Sequence, residues 1–257
     1  MAIIVKGTVK IARPIVPTDI AGLQLWLDAS DSTTLFQNSD GTTPAITDSD
    51  PIGYWGDKSG NGNNVIQSDV SLKPSLKLTI QNNKNTLRFD GTNDKLTGNL
   101  SPQSSDRTMF IVAKITSTTS AWRGAILLNS NDINDQTGTT QYIIQQAGNG
   151  TNSLGGGRPT GGLEYTYTGN GTNYFIISQT NTLTGSAAKM NGASAGSVSH
   201  ASTSIGTGVQ VRIGSGRLSN TETWYGDIAE VIVYNSVLSA YNIVFLESYL
   251  NTKWGVY

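Results

Sequence analysis

The sequence contains no cysteine and a single histidine, His200, among its 257 residues. Without cysteine there can be no disulfide bond and no thiolate metal site, and a zinc site would lack its usual ligands. A Ser-His-Asp relay would have to use His200, whose small-residue surroundings, GSVSHASTSIGTG, are typical of a surface loop. Chemistry based on thiols, zinc or histidine is therefore not expected.

Charge is also scarce, because charged residues make up 14% of the chain and sum to −1 at pH 7. No long-range field draws such a chain to nucleic acid or to a membrane surface. The N-terminal stretch MAIIVKGTVKIARP holds only a short apolar run, too short for the hydrophobic region of a signal peptide or for a membrane span. We expect no nucleic-acid binding, no membrane insertion and no Sec-type export signal.

Residues 1–18 form a locally basic arm that precedes the first acid, Asp19. The stretch VKGTVKI alternates apolar and polar residues, which is typical of a strand with one apolar side. So short a strand cannot bury that side alone, so it must pair with its own sheet, a neighbouring subunit or a scaffold. The basic residues of this arm are Lys6, Lys10 and Arg13.

From residue 19 to residue 257 the sequence predicts one all-β domain. Short β-like runs recur between Gly, Asn and Ser turns, among them LQLWLDA, TLRFDG, TMFIVAKIT, NYFIISQT and DIAEVIVYN. Many short strands of this kind indicate an antiparallel sandwich or jelly roll. The glycine-rich stretch NGTNSLGGGRPTGG (149–162) lacks phosphate-loop spacing and is predicted to be a long loop.

One helix is predicted near the C-terminus, in LSAYNIVFLESYLNTKWG. Ser239 is the expected N-cap and Gly255 the terminating residue. Apolar residues recur at spacings of three and four, which predicts a helix that packs on the sheets through one face. These residues are Ile243, Leu246, Leu250 and Trp254.

Three segments, taken in order, resemble the concanavalin A-like jelly-roll superfamily and, within it, laminin-G-like domains of phage virions and bacterial surface proteins. They are LQLWLDASDSTTL with YWGDKSGNGNN, then LRFDGTNDKL, then GDIAEVIVYNSVLSAYNIVFLESYLNTKWGV. The resemblance implies an all-β, two-sheet antiparallel jelly-roll sandwich with one C-terminal helix, and here it would carry an N-terminal extended arm. It also implies carbohydrate as the commonest ligand and calcium as a frequent helper, although fold alone does not fix function.

Candidate carbohydrate-binding residues are aromatic and polar side chains in loop-like segments, where ring faces and hydrogen-bonding groups can meet a sugar. No cofactor is expected to be required. A calcium site formed by Asp90 and Asp94 is possible, and Asp57, Asn61 and Asn63 are further oxygen donors. The favoured interpretation of all five is that they form turns. The carbohydrate-binding candidates are Trp122, Tyr142, Tyr165, Tyr167, Trp224, Tyr225 and Arg158. Trp26, Phe89, Phe110 and Phe245 are instead predicted core residues.

Asp227 and Glu230 form the closest approach to a glycosidase acid pair. An offset of three in a regular strand sends them to opposite faces, with Glu230 beside Ile228, and the third acid of such glycosidase motifs is missing. Enzymatic activity is therefore not expected. Glu230 still needs buried partners, and the candidates are backbone donors or Arg88 in the predicted strand TLRFD.

The leading hypothesis is a non-enzymatic virion structural protein: a capsid decoration, head-fibre or tail-fibre subunit on the virion surface. The basic arm would attach it to other virion proteins, the domain could bind host-surface glycans, and a symmetric homo-oligomer, by analogy a trimer, is expected. The alternative is a free carbohydrate-binding module or adhesin domain at an extracellular or cell-surface location. A glycoside hydrolase ranks third.

Overall fold

The computed structural model describes residues 15–100, 106–116, 122–129, 141–146, 153–157, 163–166, 173–199, 209–216 and 222–257. The strands are β1 Leu23–Asp28, β2 Leu35–Phe36, β3 Tyr54–Trp55, β4 Val65–Ile66, β5 Ser75–Gln81, β6 Lys84–Asp90, β7 Leu96–Leu100, β8 Arg107–Ile115, β9 Arg123–Asn129, β10 Gln141–Gln146, β11 Ser153–Gly157, β12 Leu163–Thr166, β13 Phe175–Asn181, β14 Gly185–Met190, β15 Ala193–Ser199, β16 Val209–Ile213 and β17 Tyr225–Tyr234. The helix α1 spans Ala240–Trp254.

The strands form two antiparallel sheets, which confirms the predicted all-β sandwich. The first sheet has the order β15-β14-β13-β8-β17-β6-β5, and β1 also pairs with β17. The second sheet has the order β12-β11-β10-β9-β16-β7-β4-β3-β2. Neighbours in space are often distant in sequence, as β8 and β17 are, so the fold depends on long-range pairing.

Two apolar layers hold the elements together. The larger core lies between the sheets and includes Phe89, Phe175 and Trp224, all with no exposed surface. The smaller core lies between the outer face of the first sheet and α1, where Trp26 and Trp254 are buried. The domain therefore has three layers: second sheet, first sheet and helix.

Strand β17 runs through the centre of the first sheet and contains a β-bulge. One of its edges pairs with β6 along residues 225–228 and with β1 along residues 230–234. The register against β8 shifts between Ile228 and Glu230, where β1 replaces β6 as the partner. Gly226 allows the close pairing, since a Cβ there would lie 1.9 Å from the carbonyl oxygen of Lys114.

The helix has the predicted caps. The hydroxyl of Ser239 accepts a hydrogen bond from the amide of Asn242 at 3.2 Å, and Gly255 adopts the left-handed conformation with φ of 61°. Leu246, Leu250 and Trp254 are buried against the first sheet, as their spacing predicts.

The prediction of a loop over residues 149–162 is wrong for its central part. Ser153–Gly157 form β11, which pairs with β10 on one side and β12 on the other. Main-chain hydrogen bonds need no side chain, and two neighbouring strands hold the glycine-rich segment extended despite its low β-propensity.

The start of the described chain packs onto the domain. Pro17 is buried, and the hydroxyl of Tyr234 donates a hydrogen bond to its carbonyl oxygen at 2.8 Å. Residues 15–18 thus contact the sandwich, whereas Lys6, Lys10 and Arg13 of the predicted arm lie outside the described residues. Ile15 itself packs at the edge of the helix-side core.

Candidate functional site

Glu230 is completely buried between β17 and α1, and four side-chain donors surround its carboxylate. Oε1 accepts from Trp26 Nε1 at 2.7 Å and from Tyr249 OH at 3.1 Å. Oε2 accepts from Lys253 Nζ at 2.7 Å and from Trp254 Nε1 at 2.6 Å. Burial raises the pKa of the Glu230 carboxyl, while the Lys253 ammonium acts in the opposite direction.

A row of alternating charges extends from this carboxylate towards the surface. Lys253 also contacts Asp28 at 2.7 Å, and Lys58 bridges Asp28 and Asp31, each at 2.8 Å. Burial opposes ionisation of Asp28, but the two lysines hold the pKa of its carboxyl below the ordinary value. The row ties α1 to β1 and to the turn after β3.

Asp227 is buried too, and it rather than Glu230 is the partner of Arg88. Arg88 Nε and Nη2 donate to the two carboxylate oxygens of Asp227 at 2.7 and 3.0 Å, and Tyr174 OH donates at 2.8 Å. The predicted pairing of Arg88 with Glu230 is therefore wrong, because Glu230 faces α1 while Arg88 lies opposite Asp227 across β6 and β17.

The bulge also corrects the predicted orientation of the acid pair. Ile228 belongs to the core between the sheets, whereas Ala229 and Ile232 belong to the helix-side core. Asp227 and Glu230 therefore both lie on the outer face of the first sheet, because the extra residue at the bulge restores a shared face. Each carboxylate is enclosed by donors of the protein, so this pair forms a structural support between strand and helix.

Asp90 and Asp94, the calcium candidates, lie in the turn between β6 and β7. Asp90 Oδ1 accepts from the amides of Thr92 and Asn93, and Asp94 Oδ2 accepts from the amide of Asp90 at 2.8 Å. Burial raises the pKa of Asp94 to about 7, and the neighbouring Asp90 adds to the shift. Across the described part of the chain, no group of three potential metal-ligating side chains comes together.

Asp57, Asn61 and Asn63 form a clamp on the free edge of β1. The carboxylate of Asp57 accepts from the amides of Trp26, Ser59 and Asn63, each at 2.9 Å. Asn61 and Asn63 donate to the carbonyl oxygens of Leu23 and Gln24 at 2.9 and 2.8 Å. These residues stabilise the turn and satisfy backbone groups that a further strand would otherwise pair.

The aromatic candidates for carbohydrate binding have different environments. Trp122 is exposed to 39%, while Trp224 has no exposed surface and packs edge-to-face on Phe175 at 6.4 Å. The prediction for Trp224 is wrong because this ring belongs to the core between the sheets. Phe245, predicted as core, is only partly buried and faces outward on α1.

The side chains of the remaining candidates lie outside the described residues. Only the backbone is described for Tyr142 in β10 and Tyr165 in β12, and Tyr167, Arg158 and His200 fall in undescribed stretches. Their binding roles stay predictions.

Tyr225 and both calcium candidates lie together at one end of the sandwich, and Trp122 precedes a residue that contacts this cluster. Tyr225 pairs with Asp90 across β17 and β6. The guanidinium of Arg123, which follows Trp122, lies 5.6 Å from the Tyr225 ring and donates to the carbonyl oxygen of Gly91 at 3.0 Å. Arg123 therefore covers one face of Tyr225, which leaves Trp122 as the more accessible aromatic of this group.

A groove of about 370 Å³ on the outer face of the second sheet is the more complete candidate site. Alternation turns Val209, Val211 and Ile213 into the core, so Gln210 points outward between them. The same alternation in β7 and β4 presents further polar and apolar side chains to this face. The groove is lined by Gly62, Asn64, Ile66, Thr97, Gly98, Asn99 and Gln210.

Two amides of this groove, those of Asn64 and Gln210, are held in fixed orientations. Asn64 Oδ1 accepts from the amide of Asp57 at 2.8 Å, and Gln210 Oε1 accepts from Arg212 Nε at 2.6 Å. Because each carbonyl oxygen is engaged, each NH₂ group remains on the other side of its amide as a donor. None of the lining residues is charged, and Ile66, exposed to 41%, adds an apolar surface beside the donors.

A second groove, of about 350 Å³, runs along β13, β14 and β15 beside α1. Its longest polar side chain, Lys189, is bound to Glu247 at 2.6 Å, and Ser178 donates to the same carboxylate. Small side chains form most of the remaining lining. It therefore presents fewer oriented polar groups than the groove on the second sheet.

Part of the groove follows from a pattern in the sequence. Outward polar positions in LTGNL (96–100) and VQVRI (209–213) follow from simple alternation with the core residues. Their assembly with Asn64 depends on the order β16-β7-β4, which alternation within one strand does not determine.

Neither a protein-family model nor a curated protein matches the chain. Solved structures do match, among them the receptor binding domain of botulinum neurotoxin D, with a TM-score of 0.60, 15% identity and coverage of 91% of this chain and 53% of that chain. The binding domain of Paraclostridial Mosquitocidal Protein 1 matches with a TM-score of 0.58, 14% identity and coverage of 92% and 54%. The ligand binding domain of botulinum neurotoxin serotype D in complex with N-acetylneuraminic acid matches with a TM-score of 0.58, 15% identity and coverage of 88% and 50%.

These matches show the fold, and the chain spans about half the length of the solved chains it resembles. The receptor binding and the bound sugar are properties of those longer proteins. Within the described residues, no helix has the length and apolar character needed to cross a membrane. The chain folds as a β-sandwich of the kind found in these receptor-binding domains.

Proposed function

We propose that this chain is a non-enzymatic, carbohydrate-binding β-sandwich domain whose ligand, an uncharged glycan, occupies the groove of Asn64, Thr97, Asn99 and Gln210. The observation that carries the proposal is the pair of oriented amide donors in a groove without charge. Sugar hydroxyls accept such hydrogen bonds, and the exposed Ile66 offers an apolar contact for the CH groups of a sugar ring. The similarity to receptor-binding domains supports a binding role.

Burial of the acid pair supports the non-enzymatic part of the proposal. Glycoside hydrolysis needs two carboxylates on either side of the scissile bond. Asp227 and Glu230 have no exposed surface and are bound by Arg88, Lys253 and tryptophan donors. A sugar could reach Glu230 only if α1 left the sheet.

A glycan array tests the binding proposal. We expect the wild-type protein to bind neutral oligosaccharides and the Asn99→Ala and Thr97→Ala variants to lose most of that binding. Ser197→Ala, in the groove beside β15, is the matched control and should behave as wild type. Trp122→Ala tests the sandwich-end cluster separately. Loss of binding in Trp122→Ala alone would move the site to that end, and folded wild type that binds no glycan would refute the proposal.

A virion-surface location is a further part of the proposal, with other virion proteins as partners. The basic N-terminal arm would attach the domain to the particle. The protein would form a homo-oligomer, by analogy a trimer. The domain would belong to the concanavalin A-like group and, within it, resemble laminin-G-like domains. The support for this part of the proposal is the sequence resemblance together with the contact of Pro17, near the end of the arm, with Tyr234 of the domain. A chain beginning at Ile15 should remain folded and lose particle attachment; full occupancy of particles by that chain would refute the arm's role.

The alternative, a free carbohydrate-binding module or adhesin domain, would use the same groove without particle attachment. Calcium stays a proposal for Asp90 and Asp94. A rise in the melting temperature on adding calcium, absent in Asp94→Asn, would support it.

A further inference from the structure

The outward side of α1 carries no charge. The helix contains two charged residues, Glu247 and Lys253, and both are held in ion pairs with residues of the first sheet, although Lys253 also borders a groove beside the helix. Tyr241 and Val244 are instead exposed to 70% and 56%, and Val237 just before the helix to 43%. A surface helix of a soluble domain normally presents charged and polar residues to water, so this face has the composition of a covered surface.

The apolar face continues into a groove at the point where the described chain begins. Ile15 lines this groove of about 320 Å³ together with Phe245, Ser248, Tyr249, Thr252 and Lys253. Tyr241 and Phe245 are in ring contact at 5.9 Å, so the groove and the exposed helix residues form one continuous surface. We call this surface the α1 face.

We propose that residues 1–14, the part of the N-terminal arm that precedes Ile15, dock on the α1 face. The arm joins the domain at Ile15, inside the groove, and its alternating residues Val5, Val9 and Ile11 need an apolar surface. Fourteen extended residues span about 46 Å, whereas α1, with 15 residues, is about 22 Å long. The arm can therefore cover the whole face.

Chemistry and tethering favour the chain's own arm over a second copy. A segment joined directly to the groove has an effective local concentration on the order of millimolar, far above that of a free partner in dilute solution. With its apolar side on the helix, the arm directs Lys6 and Lys10 away from the domain. The inference does not depend on glycan binding, and it leaves the lysines accessible for the proposed attachment.

Thiol accessibility tests the docking in the isolated protein, because the chain has no native cysteine. Val244→Cys should react with a maleimide at least tenfold more slowly in the full chain than in a chain beginning at Ile15. Ile46→Cys, exposed to 72% in the loop between β2 and β3, is the matched control and should react equally in both. Equal rates for Val244→Cys in both chains would overturn the inference.

Two further measurements identify the occupant. The protection of Val244→Cys should be independent of protein concentration, and protection that increases with concentration would assign the face to a second copy and overturn the proposal. Val9→Asp with Ile11→Asp should abolish the protection, while Lys6→Asp with Lys10→Asp, which changes the opposite side of the arm, should leave it. The reverse pattern would also overturn it. Particle occupancy is not used in these assays, so their outcome is separate from that of the attachment proposal.

Discussion

Replacing Glu230 by glutamine removes the negative charge that joins α1 to the first sheet while keeping the shape of the side chain. The carboxylate accepts four hydrogen bonds, two of them from the indoles of Trp26 and Trp254. A glutamine can accept through one oxygen only, and its NH₂ group would face the donors that the second oxygen now satisfies. Lys253 would retain Asp28 as a partner.

The expected cost follows from these contacts. Removing one partner of a buried ion pair costs about 3–5 kcal/mol when the other charge is left uncompensated. Because Asp28 still compensates Lys253, we expect the lower end of that range, about 3 kcal/mol, with the orphaned indole donor as the main contribution. Asp31→Asn, at the partly exposed end of the same charge row, should cost less than about 1 kcal/mol.

Urea unfolding followed by tryptophan fluorescence measures both variants. The unfolding midpoint of Glu230→Gln should fall with little change in the denaturant slope, because the exposed area on unfolding stays similar. A loss for Glu230→Gln no larger than that of Asp31→Asn would refute the idea that this carboxylate holds the helix. Hydrolysis of an oligosaccharide by wild type, lost in Glu230→Gln, would show instead that the site is catalytic.

Three other changes test the turns and the central strand. Burial raises the pKa of Asp94 to about 7 in the folded protein, so the folded state keeps a proton that the unfolded state releases near pH 4. The free energy of unfolding should therefore fall as the pH rises from about 4 to about 7. Asp94→Asn should flatten this pH dependence in urea titrations at several pH values. Asp57→Ala should cost about 3 kcal/mol in the same assay, because the carboxylate accepts three backbone amides that lose their partner, and an unchanged midpoint would contradict the clamp. Gly226→Ala should yield little folded protein by circular dichroism, because the alanine Cβ would overlap the carbonyl oxygen of Lys114. A normal melting curve for this variant would contradict the prediction and show that β17 can move away from β8.

Local patterns in the sequence predicted much of the architecture. Alternating runs located most of the long strands, and the caps at Ser239 and Gly255 located both ends of α1. These features depend on a few neighbouring residues, and the apolar period directly reflects which side chains are buried. The two-sheet arrangement came from the resemblance and is confirmed.

Features that depend on strand pairing could not be predicted in the same way. The bulge near Ala229 occurs where β1 replaces β6 along one edge of β17, so it depends on two segments about sixty residues apart in the chain. In a regular strand without the bulge, the spacing of three would place Asp227 and Glu230 on opposite faces of the first sheet, whereas both lie on its outer face. Trp224 has polar neighbours in sequence, but its ring meets Phe175, almost fifty residues away.

The candidate site was missed for a related reason. The residues predicted to bind sugar are loop aromatics, whereas the groove consists of amides and hydroxyls in or beside strands of three distant segments. Only the order of β4, β7 and β16 brings these side chains together. The orientation of Gln210 depends further on its hydrogen bond to Arg212.

Gln210→Glu provides the most direct test of glycan binding in the groove. The substitution keeps the oxygen that accepts from Arg212 and replaces the NH₂ donor by a second carboxylate oxygen, so the fold is expected to persist while the donor is lost. Isothermal titration with a neutral oligosaccharide identified on the array should show affinity at least tenfold weaker than wild type, about 1.4 kcal/mol, at an unchanged melting temperature. Equal affinity of the two proteins would contradict the account.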